Sequence, residues 1–298
     1  MNDGSVPSLE PNAWAYLNIH HPMCAWNVWR GVLASPLRQP GFLSVWMGAL
    51  LKRYSDGNRG PLIREVALER VRAAHFPGQV SRMQALYCFE DLSSAERALV
   101  WGNDKNHFRP EYVASLYLDD RYIANRTRVD SNWITFAKLE GDGSFADTSW
   151  FTAYWSGTPR PNAKPAWETL LEGRLFILGM ELRNIAYDLL RIKFPESLVA
   201  VETARLGAWA MYDYGNMSGF LQRVSNHTLA FNYALNVEDT NNEDFRRDVK
   251  ALIDDPEVFL QQGDVVAQLR TGNFGRWPDL QPYGFQVPIE GLQPLLGL

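Results

Sequence analysis

Residues 81–102, SRMQALYCFEDLSSAERALVWG, restrict the possible folds more than any other stretch of the chain. An apolar run from Ala85 to Phe89 stops at Glu90-Asp91, and a helix is expected at once, because Ser93 and Glu96 stand three apart as in a capping box. A strand, a tight acidic corner and a helix make a piece of α/β core. Two features fit a plain core less well: the Ser81-Arg82 pair where the strand begins, and Tyr87 in its middle.

The rest of the chain extends this pattern. A loose N-terminal arm is expected over 1–13 and a short strand from Trp14 to Ile19, running into His20-His21-Pro22. Residues 24–53 are dense in Trp, Val, Leu and Met, with Pro36 and Pro40 breaking them into two helices. LIREVALERVRAAHF places Ile63, Val66, Ala67, Val71 and Ala74 at helical spacing. After a loop over 102–110, strands are expected at 111–119 and at 167–179, the latter bent at Gly173. The polar segments between them, LEGDGSFADTSW and YWSGTPRPNAKP, are surface loops.

Beyond Met180 the spacing turns helical, in LRNIAYDLLRIKF and SLVAVETARLGAWAMYDYG. A third helix starts near Thr240, where Thr240 and Glu243 repeat the capping spacing, and the tail from Gly272 is ordered coil. The expected class is therefore α+β: an α/β core over 14–180 and a mainly helical extension with a coil tail over 181–298, packed on that core or separate from it.

Composition narrows the function. Hydrophobic residues make up 46% and charged residues 21%, a globular balance. The formal charge of −5 gives no basic footprint for bulk duplex DNA. Arg121, Arg126 and Arg128, and Arg64, Arg70 and Arg72, are local groupings whose plainer reading is a solvated face neutralised by nearby acids. Cys24 and Cys88 make neither a disulfide framework nor a C-x-x-C. The polar start MNDGSVPSLEPNAW lacks a basic n-region and an apolar h-region, and no apolar run reaches membrane-spanning length, so a soluble, cytoplasmic setting is expected. There is no P-loop, no G-x-G-x-x-G after a strand and no G-x-S-x-G, and the five histidines have no zinc spacing, so no metal is predicted.

Three segments in order resemble the ADP-ribosyltransferase superfamily, whose members cleave NAD at the nicotinamide–ribose bond. They are a leading strand ending in Ile19-His20-His21; ALYCFEDLSSAERAL, similar to the superfamily's tyrosine-bearing strand, turn and serine-bearing helix start; and KPAWETLLEGRLFILG, similar to the late strand that carries the catalytic glutamate. The resemblance covers about residues 14–180 and implies a split β-sheet core flanked by helices, with NAD as co-substrate.

Loss of nicotinamide leaves an oxocarbenium-like ribose, and a carboxylate beside it lowers the barrier electrostatically. The resemblance puts Glu168 in that role, with Glu172, four residues on, as the alternative. Two acids separated by one residue, the mark of the arginine-modifying branch, are absent. Tyr87 would stack on the nicotinamide ring or serve as a core tyrosine. Arg82 would pair with the pyrophosphate or lie at the surface. Ser81 would bond the cofactor or its own strand, and His21 (or His20) the adenosine ribose or the nicotinamide amide. Trp155 is a pocket wall or packing.

The expected activity is mono-ADP-ribosyl transfer from NAD to a macromolecular acceptor, a protein more than a nucleic acid, with no membrane partner. NAD hydrolysis is one alternative. A second is a non-enzymatic module that grips a partner with the chain's 11 Trp and other aromatics. A third is a hydrolase or transferase of another kind.

Overall fold

The structure, a computed structural model, describes residues 9–36, 41–99, 108–255, 258, 263–289 and 292. It begins with β1 (Ala13–Tyr16) and α1 (Pro22–Arg30), whose proline occupies a first-turn position where a missing N–H costs nothing. Gly31 ends α1 in the left-handed conformation, φ +85°, with its N–H on the carbonyls of Asn27 and Val28. The reversal releases Val32–Ala34 to form β2, and β3 (Phe42–Leu43) precedes α2 (Val45–Ser55). The two helices expected over 24–53 are present, but Gly31 rather than a proline ends the first, and two short strands come before the second; Pro40 lies outside the described residues.

Then come α3 (Gly60–His75), β4 (Leu86–Phe89) and α4 (Leu92–Ala98). The cap of α4 is Asp91, not Ser93: the extended Asp91 accepts the Ser94 N–H at 2.7 Å, while Ser93 is already inside the helix. The loop expected over 102–110 lies largely outside the described residues. β5 (Val113–Tyr117) matches its expectation, but β6 (Ile123–Asp130) occupies a segment noted in the sequence only for Arg126 and Arg128. Arg126 and Arg128 point outward while Thr127 and Val129 are buried, an alternation with too few apolar members to stand out. α5 (Asn132–Thr135) and α6 (Phe151–Trp155) punctuate the polar region before β7 (Trp167–Ile177).

β7 organises the first sheet, and every pairing in that sheet is antiparallel. Its first part pairs with β4 and β6, and Phe89 and Val129 lie opposite Glu168. Its last residues pair with β2 and β5, and β1 joins β5 to β4. The change of partners falls at Gly173, φ +145°, where an added Cβ would lie 2.2 Å from the Tyr122 carbonyl oxygen. Only glycine fits that approach.

After Met180 come α7 (Glu181–Lys193) and α8 (Leu198–Trp209), as their spacing predicts. The segment then departs from a helical extension, because β8 (Met217–Arg223) and β9 (Thr228–Leu235) form a regular hairpin. α9 (Glu243–Asp254) is capped by Asn242, whose side chain accepts the Asp244 N–H; Thr240 belongs to the preceding turn. α10 (Gly263–Arg270) follows, and β10 (Phe285–Pro288) turns part of the expected coil tail into a strand. The second sheet runs β10-β9-β8-β3. The α+β class thus holds, with two antiparallel sheets. One apolar cluster joins residues on both sides of position 180, from Trp26 and Trp29 to Leu190, Ala204 and Phe231. A second cluster, including Leu68, Val129, Tyr154, Trp155 and Leu170, lies between α3, α6 and the β6–β7 face. No described helix is long and apolar enough to cross a membrane.

Candidate functional site

The β6–β7–β4 pairing carries Glu168, Leu170, Thr127, Val129 and Tyr87 to one face, because residues opposite each other across antiparallel strands share a side. α3 and α6 cover that face. Glu65 lies between Leu62 and Leu68 on the buried side of α3, so a carboxylate occupies a core position. Tyr154 is fully buried on α6. Into this layer projects Arg82, from the turn before β4.

Four hydrogen bonds hold the Arg82 guanidinium. Nε and Nη2 bind the two Glu65 carboxylate oxygens at 2.7 and 2.9 Å, and Nη1 reaches the Tyr154 hydroxyl at 2.6 Å and Glu168 Oε2 at 3.1 Å. The two-point contact to Glu65 uses the planar fork that only arginine offers. Tyr87 donates its hydroxyl to the Arg82 carbonyl oxygen, and its ring centroid lies 5.1 Å from the guanidinium carbon. The Ser131 hydroxyl donates to Glu168 Oε2 at 3.0 Å.

Two buried carboxylates share one guanidinium, so the group carries a net negative charge when both are ionised. Burial pushes the Glu168 carboxyl above its ordinary value, and Arg82 and Ser131 offset only part of that. Burial alone would depress Arg82, but Glu65, with the tyrosines and Glu168, holds it well above the usual arginine value. Burial raises both Tyr87 and Tyr154, so both hydroxyls stay protonated: Tyr87 donates to the Arg82 carbonyl, and Tyr154 accepts from the guanidinium. Among the described residues both hydrogen bonds to the Glu168 side chain end on Oε2 and none on Oε1, and 10% of the side chain remains exposed.

The backbone around Glu168 is tied down separately. Asp130 Oδ1 accepts the N–H groups of Asn132 and Ala166, and its Oδ2 accepts that of Arg160. Asn132 Nδ2 donates to the Lys164 carbonyl at 2.9 Å. The loop before β7 is thereby fastened to the end of β6, which sets where β7 begins.

Arg82, Tyr87 and Glu168 therefore meet in one network. Ser81 lies beside it, but its hydroxyl accepts the Met83 N–H in the turn. His21 is elsewhere: its Nε2 is 3.1 Å from the Tyr233 hydroxyl on the second sheet, and burial lowers its pKa. His20 is exposed and edge-on to Tyr112. Trp155 is core, with its indole N–H on the Leu68 carbonyl. Glu172 lies opposite Asn125 on β7.

The network also holds residues that the sequence reading did not select. Glu65 had a signal, a carboxylate at helical spacing from Leu62 and Leu68, although the stripe expected on α3 was a different one, of which only Val66 is buried. Tyr154 had none beyond its place next to Trp155, and Ser131 and Asp130 had none, because no strand was expected before them. Among the described residues no group of three or more His, Cys, Asp or Glu could hold a metal ion.

Residues 49–185 match the model of a family described as "Protein of unknown function (DUF2441)". No curated protein matches the chain. Glu65, Arg82, Tyr87, Ser131, Tyr154 and Glu168 all fall inside the matched segment, whereas His21 and the β8–β9 hairpin fall outside it.

Proposed function

We propose that the chain is an NAD-consuming enzyme of ADP-ribosyltransferase type, built on a split-sheet core, that transfers ADP-ribose to a macromolecular acceptor and releases nicotinamide. One observation carries this reading: Glu168, at the start of the central bent strand, is held through Oε2 by Arg82 and Ser131, and among the described residues nothing engages Oε1. In the reaction the C1′–N bond breaks, the electron pair leaves with neutral nicotinamide, and an acceptor lone pair forms the new bond at C1′. The acceptor's proton goes to solvent or to a base. Glu168 accepts a hydrogen bond from a ribose hydroxyl and stabilises the positive charge at C1′.

Arg82 and Tyr87 act as positioning residues here, because their polar groups are engaged within the protein. Ser81 and His21 are bonded elsewhere, and the reading does not require them. A protein acceptor is favoured over a nucleic acid, since Arg121, Arg126 and Arg128 are paired with Asp119, Asp120 and Glu90.

The test is nicotinamide release from NAD by the purified protein and its Glu168→Gln variant, with protein acceptors added. A folded Glu168→Gln variant is expected to lose at least about 100-fold in rate, the scale of removing one preorganised electrostatic group. NAD that is neither bound nor consumed with any acceptor would overturn the proposal. A second reading, a non-enzymatic interaction module, draws on the exposed Ile185, Ile192 and Trp209 of α7 and α8. It requires that Glu168→Gln leave partner binding unchanged.

A further inference from the structure

Asp130 closes β6 opposite Trp167 and is fully buried. All three of its hydrogen-bond partners are backbone donors. Oδ1 accepts the N–H groups of Asn132 and Ala166, both at 3.0 Å, and Oδ2 accepts that of Arg160 at 2.8 Å. Among the described residues no Lys, Arg or His side chain pairs with it. Burying a carboxylate with no cation beside it is unfavourable unless its oxygens are well bonded. A side chain that faces donors at both ends must accept at both, which a carboxylate does and an amide does not.

These bonds meet at the strand end that carries Glu168. Ala166 stands two residues before it, with its N–H on Asp130 Oδ1 and its carbonyl accepting the Ser131 N–H at 3.0 Å. Ser131, held between Asp130 and Asn132, donates its hydroxyl to Glu168 Oε2 at 3.0 Å. Ser131 and Ala166 are both buried, so water does not replace these bonds when they break. Arg82 reaches the same oxygen from the turn before β4, which leaves Oε2 held from two sides. One of those two holds depends on a carboxylate that makes no hydrogen bond to Glu168.

We propose that Asp130 is a positioning residue for Glu168: by holding Asn132 and Ala166 it places the Ser131 hydroxyl on Glu168 Oε2 and fixes the orientation of that carboxylate. The proposal rests on the reading of Glu168 as the group beside the reacting ribose.

The test has a readout that needs no NAD. The full chain, labelled with ¹³C at the glutamate carboxyls, is titrated by NMR, and Glu168→Gln assigns the Glu168 signal. The Ser131 bond favours the ionised carboxylate, so losing it raises the Glu168 midpoint, whereas removing the Asp130 charge alone would lower it. Asp130→Ala is therefore expected to raise the midpoint, as Ser131→Ala does, and the double variant to raise it no further than either single one. The other groups that face Glu168, namely Arg82, Glu65, Tyr87, Tyr154 and Cys88, are the same in all of these variants. Asp130→Glu keeps the charge but displaces the carboxylate by one methylene; it too should raise the midpoint, and it keeps the test open if Asp130→Ala does not fold. In nicotinamide release, folded Asp130 variants should lose roughly tenfold to 100-fold in kcat, the scale of a misplaced reacting group. A midpoint that falls or stays in the folded Asp130 variants, or shifts that add in the double variant, would overturn the proposal. So would release that Glu168→Gln abolishes and the Asp130 variants leave intact, which would spare the reading of Glu168. A midpoint that rises as expected in a protein that never consumes NAD would support the positioning role and overturn the NAD reading alone.

Discussion

Arg30 and Arg82 are both buried, yet they do opposite work. Arg30 binds mainly backbone: Nε reaches the Tyr214 carbonyl at 3.1 Å, Nη1 that of Val32 at 3.1 Å and Nη2 that of Tyr212 at 2.8 Å. Asp213 is only within 3.9 Å. Neutral carbonyls compensate incompletely for lost water, and burial pushes Arg30 down to about 10. Arg82 binds side chains that can themselves ionise, and its pKa is held up rather than down. Arg30 is a strut between α1 and the 212–216 loop. Arg82 sets the charge state and the orientation of other groups, which is what a reactive site requires.

The comparison can be broken most directly at Arg82. Arg82→Met should cost about 3–5 kcal/mol, since it strands two buried carboxylates without their cation. Adding Glu65→Gln and Glu168→Gln should recover most of that loss in chemical denaturation. If it does not, Arg82 is a strut like Arg30.

Arg30→Met should cost less, about 1–3 kcal/mol, the price of buried acceptors left unsatisfied. Asp213→Asn should give no rescue, because the backbone carbonyls would still lack donors. A rescue in the same denaturation experiment would erase the distinction between the two arginines.

Glu65→Gln sharpens the contrast further. It removes the nearer negative charge from Arg82 while keeping much of the shape, and its effect should be non-additive with Glu168→Gln by about 0.5–3 kcal/mol. Additive losses in a double-mutant cycle would mean that the two carboxylates do not communicate through Arg82.

The smallest effect is a pH slope. A carboxyl whose folded pKa is raised contributes stability that is full below its unfolded value and is lost as pH rises through the folded one. Glu168 is such a group. The melting temperature of the parent relative to Glu168→Gln should therefore fall as pH rises above the ordinary carboxylate value, about 4. A rising difference would show Glu168 to be held as a plain stabilised carboxylate.

Three members of the Arg82 network were picked out before any fold was known: Arg82 and Tyr87 by their polarity at the entry and in the middle of a short apolar run, and Glu168 through the family resemblance. Glu65 was partly legible, as a carboxylate among leucines on a helix. Ser131 and Tyr154 were not, because nothing in their own neighbourhoods marks them; they matter only through Arg82 and Glu168, 37 and 72 residues away respectively from Glu168 and Arg82.

Sequence alone determined the elements whose stability is written in neighbouring residues. Those are α3, α7 and α8 through their apolar spacing, and β7 with its bend through Gly173, which leaves room for the Tyr122 carbonyl. Tertiary structure decided the rest. β6 is a strand because β7 offers it a ladder, not because of its own mixed residues. β2 and β3 exist because Gly31 turns the chain back and long-range partners, β7 and β8, accept them. The same holds for Arg82. A buried guanidinium needs acceptors from distant segments, and only the packing of α3 and α6 on the β6–β7 face brings Glu65, Tyr154 and Glu168 within its reach.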